Sequence, residues 1–395
     1  MEWSRMAVLR IAFALAAASS IVSAQAPAAA IAQAGTPVDS SVKAAPVAEP
    51  IPNFFKDVQA NAFASFGNNF NFNRPASRLN AMRVFDANAN SFQVDIAELV
   101  LQKPIAKVGD VGFRVDLVTG SAIPVKTQAT GLAIGTGADL QQALLSYIAP
   151  LGSGLRLDFG KFVTIHGIEV IEGYDGYNDN YSRSLLFNFA IPFTHTGAIA
   201  TYTFSSQVTA EVMVVNGWDN AVDNNSGKTV GIQLALTPIS PLSVLLHYMG
   251  GPEADSSSAV RHLGDIVATY KVNDMLSLGI NGDYAVERRA SAVIPGADAR
   301  WSGVAGYAKI SPAPKYFVAL RVETMKDEGG TRFGLGRSTT AHEFTLTPTL
   351  KVTNNFVVRA EGRYDAINQD GVFLDEKGKS RRNQTTLGVN AMFVY

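Results

Sequence analysis

The chain has no cysteine, which removes a disulfide framework, thiolate metal ligation and a lipid-anchored N-terminus from consideration. Beyond its first two dozen residues no window approaches 18 uninterrupted apolar residues, so helical membrane spans are excluded for the body of the chain. A basic excess is missing too. With 33 Lys and Arg against 34 Asp and Glu, the formal net charge is −1, and nucleic acid is not an expected partner. Enzyme signatures are also lacking. The five histidines, His166, His195, His247, His262 and His342, are dispersed, with no HExxH and no pair at metal-ligand spacing. The glycine-rich run Gly131 to Gly137 has no following Lys and reads as an external loop rather than a phosphate cradle. Asp219, Asp223, Asn224 and Asn225 lie together but lack the spacing of a calcium loop, and a solvated turn is the simpler reading. No cofactor or metal is therefore expected.

What is present begins with an export signal. Arg5 and Arg10 precede the apolar run Ile11 to Ala18, and Val22-Ser23-Ala24 offers the small-residue pattern of a cleavage site. Residues 1–24 are expected to be a cleaved signal peptide, because Arg10 interrupts the apolar segment and the remainder is too short to span. Residues 25–52 are rich in Ala and Pro and poor in large apolar groups, the composition of a flexible periplasmic leader. From 53 to 395 no shift in composition marks a second domain.

That long region alternates. In Phe356 to Asp365, one face carries Phe356, Val358, Ala360, Gly362 and Tyr364, and the other carries Arg359, Glu361, Arg363 and Asp365. An arginine facing lipid near the bilayer midplane costs roughly 2–4 kcal/mol, so this register works in a membrane only if the charges face a wet lumen. Phe356 and Tyr364 are then about 26 Å apart at ~3.3 Å per residue, close to the separation of two aromatic girdles. Arg114 and Asp116, Arg156 and Asp158, and Arg321 and Glu323 oppose apolar faces in the same way. The final segment, Asn383 to Tyr395, alternates up to a terminal aromatic, as the closing strand of an outer-membrane barrel does. A soluble β-sandwich also alternates. It needs neither the leader nor so many strands of about 9–11 residues.

The predicted strands are 57–66, 91–101, 110–118, 140–149, 155–163, 197–205, 207–216, 228–237, 242–249, 262–270, 275–285, 300–310, 316–325, 341–350, 355–365 and 384–395. They number sixteen, with short turns alternating with longer polar loops. The fold class is thus all-β: a transmembrane antiparallel up-and-down barrel of about 16 strands. Ser182 to Ala190 (SRSLLFNFA) could be a further strand, but an odd count is at variance with the class. The whole of 164–196 is therefore assigned to a long third external loop. Its Leu185, Leu186, Phe187 and Phe189 are costly to leave in water, so it is expected to fold into the lumen and narrow it.

The run GKFVTIHGIEVIEGYDGYNDNYSRSLLFNFAIPFTHTGAIATY (Gly160 to Tyr202), with VNGWDN (Val215 to Asn220) and LTPISPLSVLLHYMGGPE (Leu236 to Glu253), resembles the OmpL-like outer-membrane β-barrel porins. NGDY, ALRVET and EFTLT further on are similar. The resemblance covers nearly everything from Asp57 onward and implies an outer-membrane porin.

The expected function is passive diffusion of small hydrophilic solutes. The expected pore-lining residues are Arg114, Asp116, Arg156, Asp158, Lys161, Glu211, Asp283, Arg321, Glu323, Glu343, Arg359, Glu361, Arg363 and Asp365. About half of these are expected to pair along the wall. The expected constriction-loop residues are His166, Glu169, Glu172, Asp175, Asp179, Arg183 and His195, and unpaired arginines of the wall are expected to face the acidic ones across the channel, setting a transverse field. Expected partners are outer-membrane lipid and lipopolysaccharide, the barrel assembly machinery through the strand ending at Tyr395, and, by analogy with general porins, two further copies in a homotrimer. Two other readings stay open: a barrel hydrolase using Ser182 with His166 or His195, and a closed barrel with a surface-binding or structural role.

Overall fold

The computed structural model describes residues 57–123, 137–255 and 258–395. Residues 1–24, expected to be a signal peptide, 25–52, expected to be a leader, and most of the Gly131 to Gly137 run lie outside the described residues. Strands form where Val, Ile, Leu, Phe, Tyr and Thr alternate with polar residues, the pattern that fits a pleated surface buried differently on its two sides. They are β1 (Gln59–Asn71), β2 (Phe92–Lys103), β3 (Val111–Thr119), β4 (Ala138–Ala149), β5 (Leu155–Val163), β6 (Thr194–Ser205), β7 (Val208–Val215) and β8 (Thr229–Ile239). The second half supplies β9 (Leu242–Pro252), β10 (Val260–Lys271), β11 (Leu276–Glu287), β12 (Ala299–Ala313), β13 (Tyr316–Asp327), β14 (Thr339–Lys351), β15 (Phe356–Ile367) and β18 (Asn383–Val394). A two-stranded ribbon, β16 (Phe373–Leu374) with β17 (Ser380–Arg381), sits in the last long loop.

Among the described residues, sixteen strands close into one antiparallel ring, each paired with its chain neighbours and β18 paired with β1. The seam runs from Phe63 opposite Val394 to Asn71 opposite Thr386, and the backbones of Ala62 and Tyr395 exchange two hydrogen bonds of 2.9 Å at its end. Closure leaves no free sheet edge, the condition for strands to lie in hydrocarbon.

The two faces of the wall are inverted relative to a soluble protein. On β14, Glu343, Thr345, Thr347 and Thr349 are buried while Phe344 and Leu346 are exposed; on β15, Arg359, Glu361, Arg363 and Asp365 are buried while Phe356 and Tyr364 are exposed. Arg321 and Arg359 are 0% and 1% exposed, against 49% for Val389 and 44% for Phe393. A sandwich with a hydrocarbon core shows the opposite arrangement. The register that places charges inside is therefore the one adopted.

Connections alternate in length as the strands alternate in direction. At one rim β6 and β7 are joined by residues 206–207 and β8 and β9 by 240–241. In the turn between β10 and β11, the Asn273 side-chain oxygen accepts from the N–H groups of Met275 and Leu276. At the other rim lie the long loops, including 72–91 and 164–193. Strand β6 begins at Thr194, so the third long connection is three residues shorter than 164–196. Ser182 to Ala190 contributes no wall strand; Leu186–Ala190 forms a π-helical turn.

Among the described residues the strand pairing shifts register at five places, and two of these change which side chains face inward. The β1–β2 register shifts between Ser65 and Phe66, leaving Asp95 without an opposite residue, and both Asp95 and Ile96 are buried. The β3–β4 register shifts between Asp116 and Leu117, and both Gln141 and Gln142 are buried. In β5, Gly160 has φ +136°, and a Cβ there would collide with the Ala143 carbonyl oxygen; just after it, Lys161 and Phe162 are both buried.

Val389 lies mid-strand on the exposed face of β18 and Asn390 on the buried face. Val389→Arg is expected to destabilise the barrel by roughly 2–4 kcal/mol in urea unfolding from lipid vesicles, the cost of a cation on the lipid face. An unchanged unfolding midpoint would contradict a lipid-facing Val389.

Candidate functional site in the barrel interior

Three arginines on β13 and β15, the two strands that flank β14, dominate the buried face. Arg321 on β13 donates through Nη1 to Glu169 Oε1 at 2.6 Å and to the Ser182 carbonyl at 2.8 Å, and through Nε to Glu343 Oε2 at 3.0 Å. Arg359 on β15 reaches Glu172 Oε1 at 2.8 Å, the carbonyls of Asn178 and Asn180, and Asn390 on β18. Arg363 pairs with Asp365 at 2.7 Å and donates to Ser182 Oγ and the Arg183 carbonyl. These are charge-assisted bonds in a site that water barely reaches, each stronger than its neutral counterpart.

Carboxylates of the same wall accept in return. Glu361 takes the N–H groups of Tyr181 and Ser182 at 2.6 and 3.0 Å, and the Thr347 hydroxyl at 2.8 Å. Glu323 takes the N–H groups of Leu185 and Leu186 at 2.6 and 3.2 Å. A carboxylate there satisfies the free donors that open the helical turn. At its other end, Trp301 Nε1 donates to the Ala190 carbonyl at 3.0 Å and Arg332 Nε to the Phe189 carbonyl at 2.7 Å. Leu185, Leu186, Phe187 and Phe193 are buried, and Phe187 and Phe193 pack against Phe85 from the first long loop.

The expectation of a field spanning an open channel is corrected by this geometry. Arg321 and Arg359 do not face Glu169 and Glu172 across a gap; they touch them, because buried charges left unpaired cost far more than the pairing geometry does. Arg183 lies 3.5 Å from Glu172 and its guanidinium is 5.2 Å from the Phe85 ring centre. The solvent-reaching charges are others. Arg114 bonds Asp116 at 2.8 Å and Asp175 at 2.6 Å, and the Asp175 side chain is 60% exposed. Arg156 bonds Asp158 at 2.7 Å with half its side chain exposed, and Asp179 bonds Lys309 of β12 at 2.7 Å. Lys161 is buried against Asp139 at 3.1 Å, and Glu211 accepts from Thr201 at 2.9 Å.

The histidines and Ser182 do not form a hydrolytic pair. Ser182 Oγ accepts from Arg321 and Arg363. His195 bonds the Gly217 carbonyl and Thr164. His166 is instead brought beside His247 and Asp265, with ring centres of the two histidines 5.1 Å apart. Asp283, next to Asp265 across the β10–β11 pair, is buried with no hydrogen-bond partner on either carboxylate oxygen.

Residues 57–395 match the family described as "Putative beta-barrel porin-2, OmpL-like". The chain belongs to this porin family. Among solved structures, similar folds include the outer membrane channel DcaP of Acinetobacter baumannii, at TM-score 0.58 and 10% identity, covering 86% of this chain and 97% of that one. The anion-selective porin from Comamonas acidovorans aligns at TM-score 0.56 and 11% identity over 86% and 99% of the two chains. The trimer form of OmpT, an outer membrane protein of Vibrio cholerae, aligns at TM-score 0.55 and 10% identity over 86% and 99%. At such identities the likeness is one of fold. No curated protein sequence matches the chain.

Several interior groups of this OmpL-like porin were not among the residues expected from sequence. Arg83 of the first long loop pairs with Asp86 and, at 2.7 Å, with Asp365. Asp95 accepts from Tyr181 at 3.1 Å, and Glu98 accepts from the Tyr174 N–H at 2.6 Å. One signal was available: Asp95 and Glu98 are three apart, which a period of 2 cannot place on one face without a bulge. Glu253, just past β9, accepts from the Trp218 N–H at 2.7 Å and the Thr229 hydroxyl at 2.6 Å, tying two external loops together.

Arg359→Ala would leave Glu172 buried with Arg183, at 3.5 Å, as its remaining ion-pair partner among the described residues. A loss of about 3–5 kcal/mol is expected, read as a lower urea midpoint together with new protease cleavage within 164–193. Burial pushes the Glu253 carboxyl up to about 7, against the lowering effect of Arg261, Thr229 and the Trp218 N–H. The two hydrogen bonds favour the carboxylate, but burial favours the protonated acid and outweighs them, so this group's contribution to the closed state is largest below the ordinary glutamate range and falls as pH rises from there to about 7. Hydrogen exchange at the Trp218 amide, corrected for intrinsic rate, should therefore speed up between pH 5 and 8, and Glu253→Gln should flatten that dependence.

Proposed function

We propose that the chain is a passive diffusion porin of the bacterial outer membrane, carrying small hydrophilic solutes through an aqueous route that residues 164–193 narrow from inside. The observation that carries this is the inverted wall: an apolar exterior around an interior lined by Arg, Asp, Glu, Asn and Thr. A ring of this kind has no stable place in water, and its polar interior is wasted unless polar matter occupies it. The contacts of 164–193 with β2, β10, β13 and β15 support its lying within the ring.

The charge preference follows from exposure. The buried Arg321, Arg359 and Arg363, with Glu169, Glu172, Glu323, Glu343, Glu361 and Asp365, act as anchors of the segment. The pairs that solutes meet are Arg114 with Asp175, Arg156 with Asp158, and Lys309 with Asp179. A cavity of about 330 Å³ lined by Glu169, Tyr177, Asp179, Tyr307 and Lys309 opens beside the last of these. Assembly as a homotrimer and insertion through recognition of the β18 strand belong to the same reading, as does contact of the external loops with lipopolysaccharide.

Planar-bilayer recording tests it. Discrete conductance steps are expected from the folded wild-type barrel, and Arg114→Glu with Arg156→Glu should move the cation-to-anion permeability ratio at least twofold towards cations. A folded barrel with no steps would favour a closed, surface-binding role, and an unmoved reversal potential would remove these arginines from the route. Ester hydrolysis by the folded protein that is lost in Ser182→Ala would favour the hydrolase reading.

A further inference from the structure

The β9–β10–β11 register sets His247 opposite Asp265 and Asp265 opposite Asp283, three side chains in a row on the buried face. His166, from the 164–193 segment, comes down onto that row. His247 Nδ1 lies 2.8 Å from Asp265 Oδ2, and His166 Nδ1 lies 4.0 Å from the same oxygen. One donor atom from each of His166, His247 and Asp265 falls within 4.8 Å of the others, and all three residues are buried.

What makes the group unusual is what its members do not bond. Neither ring nitrogen of His166 has a hydrogen-bond partner, although the residue is 1% exposed. Both carboxylate oxygens of Asp283, 4% exposed, are equally bare. Buried polar groups are almost always bonded, and two such groups, each beside Asp265, call for an occupant. The charges argue the same way. With Gln233 Oε1 accepting from Nε2 of His247 at 2.7 Å, the neutral ring presents the Nδ1 lone pair to the Asp265 carboxylate, the position a cation would occupy. Among the described residues, the ion-pair partners of Asp265 are the two histidines. Two neighbouring carboxylates and two imidazoles therefore converge with no fixed cation among them.

Outer contacts hold the donors in place. Asp265 Oδ2 accepts from the Gly167 N–H at 2.7 Å and Oδ1 from Asn281 Nδ2 at 2.6 Å, while Gln233 fixes the far nitrogen of His247. Metal ligands are characteristically oriented by such bonds.

We propose that His166, His247 and Asp265, with Asp283 as fourth donor, form a binding site for a Zn²⁺-class divalent ion. Two imidazole nitrogens and two carboxylate oxygens suit a four-coordinate ion of that class, whereas Ca²⁺ and Mg²⁺ require oxygen-rich shells. Bound there, the ion tethers the 164–193 segment to β9–β11, just as the arginine pairs tether it to β13–β15.

The test uses the full folded barrel in detergent, stripped with chelator and titrated with Co²⁺. One equivalent should bind with the visible bands of tetrahedral Co²⁺, and Zn²⁺ should displace it. His166→Ala removes a ring that makes no hydrogen bond, so the barrel should fold as before while Co²⁺ affinity falls tenfold or more; His247→Gln should do the same. His262→Ala and His342→Ala, which lie away from the cluster, should bind as wild type. Absence of stoichiometric binding to the folded wild type would overturn the proposal and leave a shared proton in the cluster. So would unaltered binding by the His166→Ala, His247→Gln double variant. Binding is read without reference to transport, so the proposal stands or falls independently of channel activity.

Discussion

A buried charge must find its counter-charge, and in this barrel the wall alone does not supply all of them. Arg321 is shared between Glu343 of the next strand and Glu169 of the 164–193 segment; Arg359 forms its ion pair with Glu172 of that segment. In return Glu323 and Glu361 accept backbone N–H groups of that segment. Wall and segment are thus two halves of one electrostatic structure. Hydrogen bonds to charged groups contribute about 1.5–3 kcal/mol each, whereas breaking a buried pair costs about 3–5 kcal/mol. The asymmetry makes detaching the segment from the wall costly.

Much of the fold was legible because a barrel is a repetitive object. Each strand of the β14–β15 kind states its own inside and outside, and membrane energetics rejects the opposite register. Sixteen strands followed from counting such segments and from the even parity that keeps both chain ends at one rim. Parity also removed Ser182 to Ala190 from the wall, and the structure gives a physical reason: its backbone donors are taken by Glu323 and Glu361 rather than by a neighbouring strand.

The interior was less legible, because pairing there joins residues with no shared periodicity. The sequence shows that Arg359 and Glu172 face the same compartment but not that they meet. Bulges hid Asp95, since a one-residue insertion shifts the phase that face assignment depends on. The first long loop carried no periodic signal, yet its Arg83 completes the coordination of Asp365. His166 and His247 are far apart in the chain and come together only because the segment folds back over β9 and β10.

The seam between β1 and β18 has a kinetic consequence. It joins the first described strand to the last, so the most non-local pairing in the ring is also the one that completes it. Until β18 is in place, the curved sheet presents two open edges, and each is a template for pairing with another chain. Non-local pairing is slow because the entropy of closing the loop is spent before any contact rewards it. The same seam that removes every edge from the finished barrel therefore makes the nearly finished one the species most exposed to aggregation.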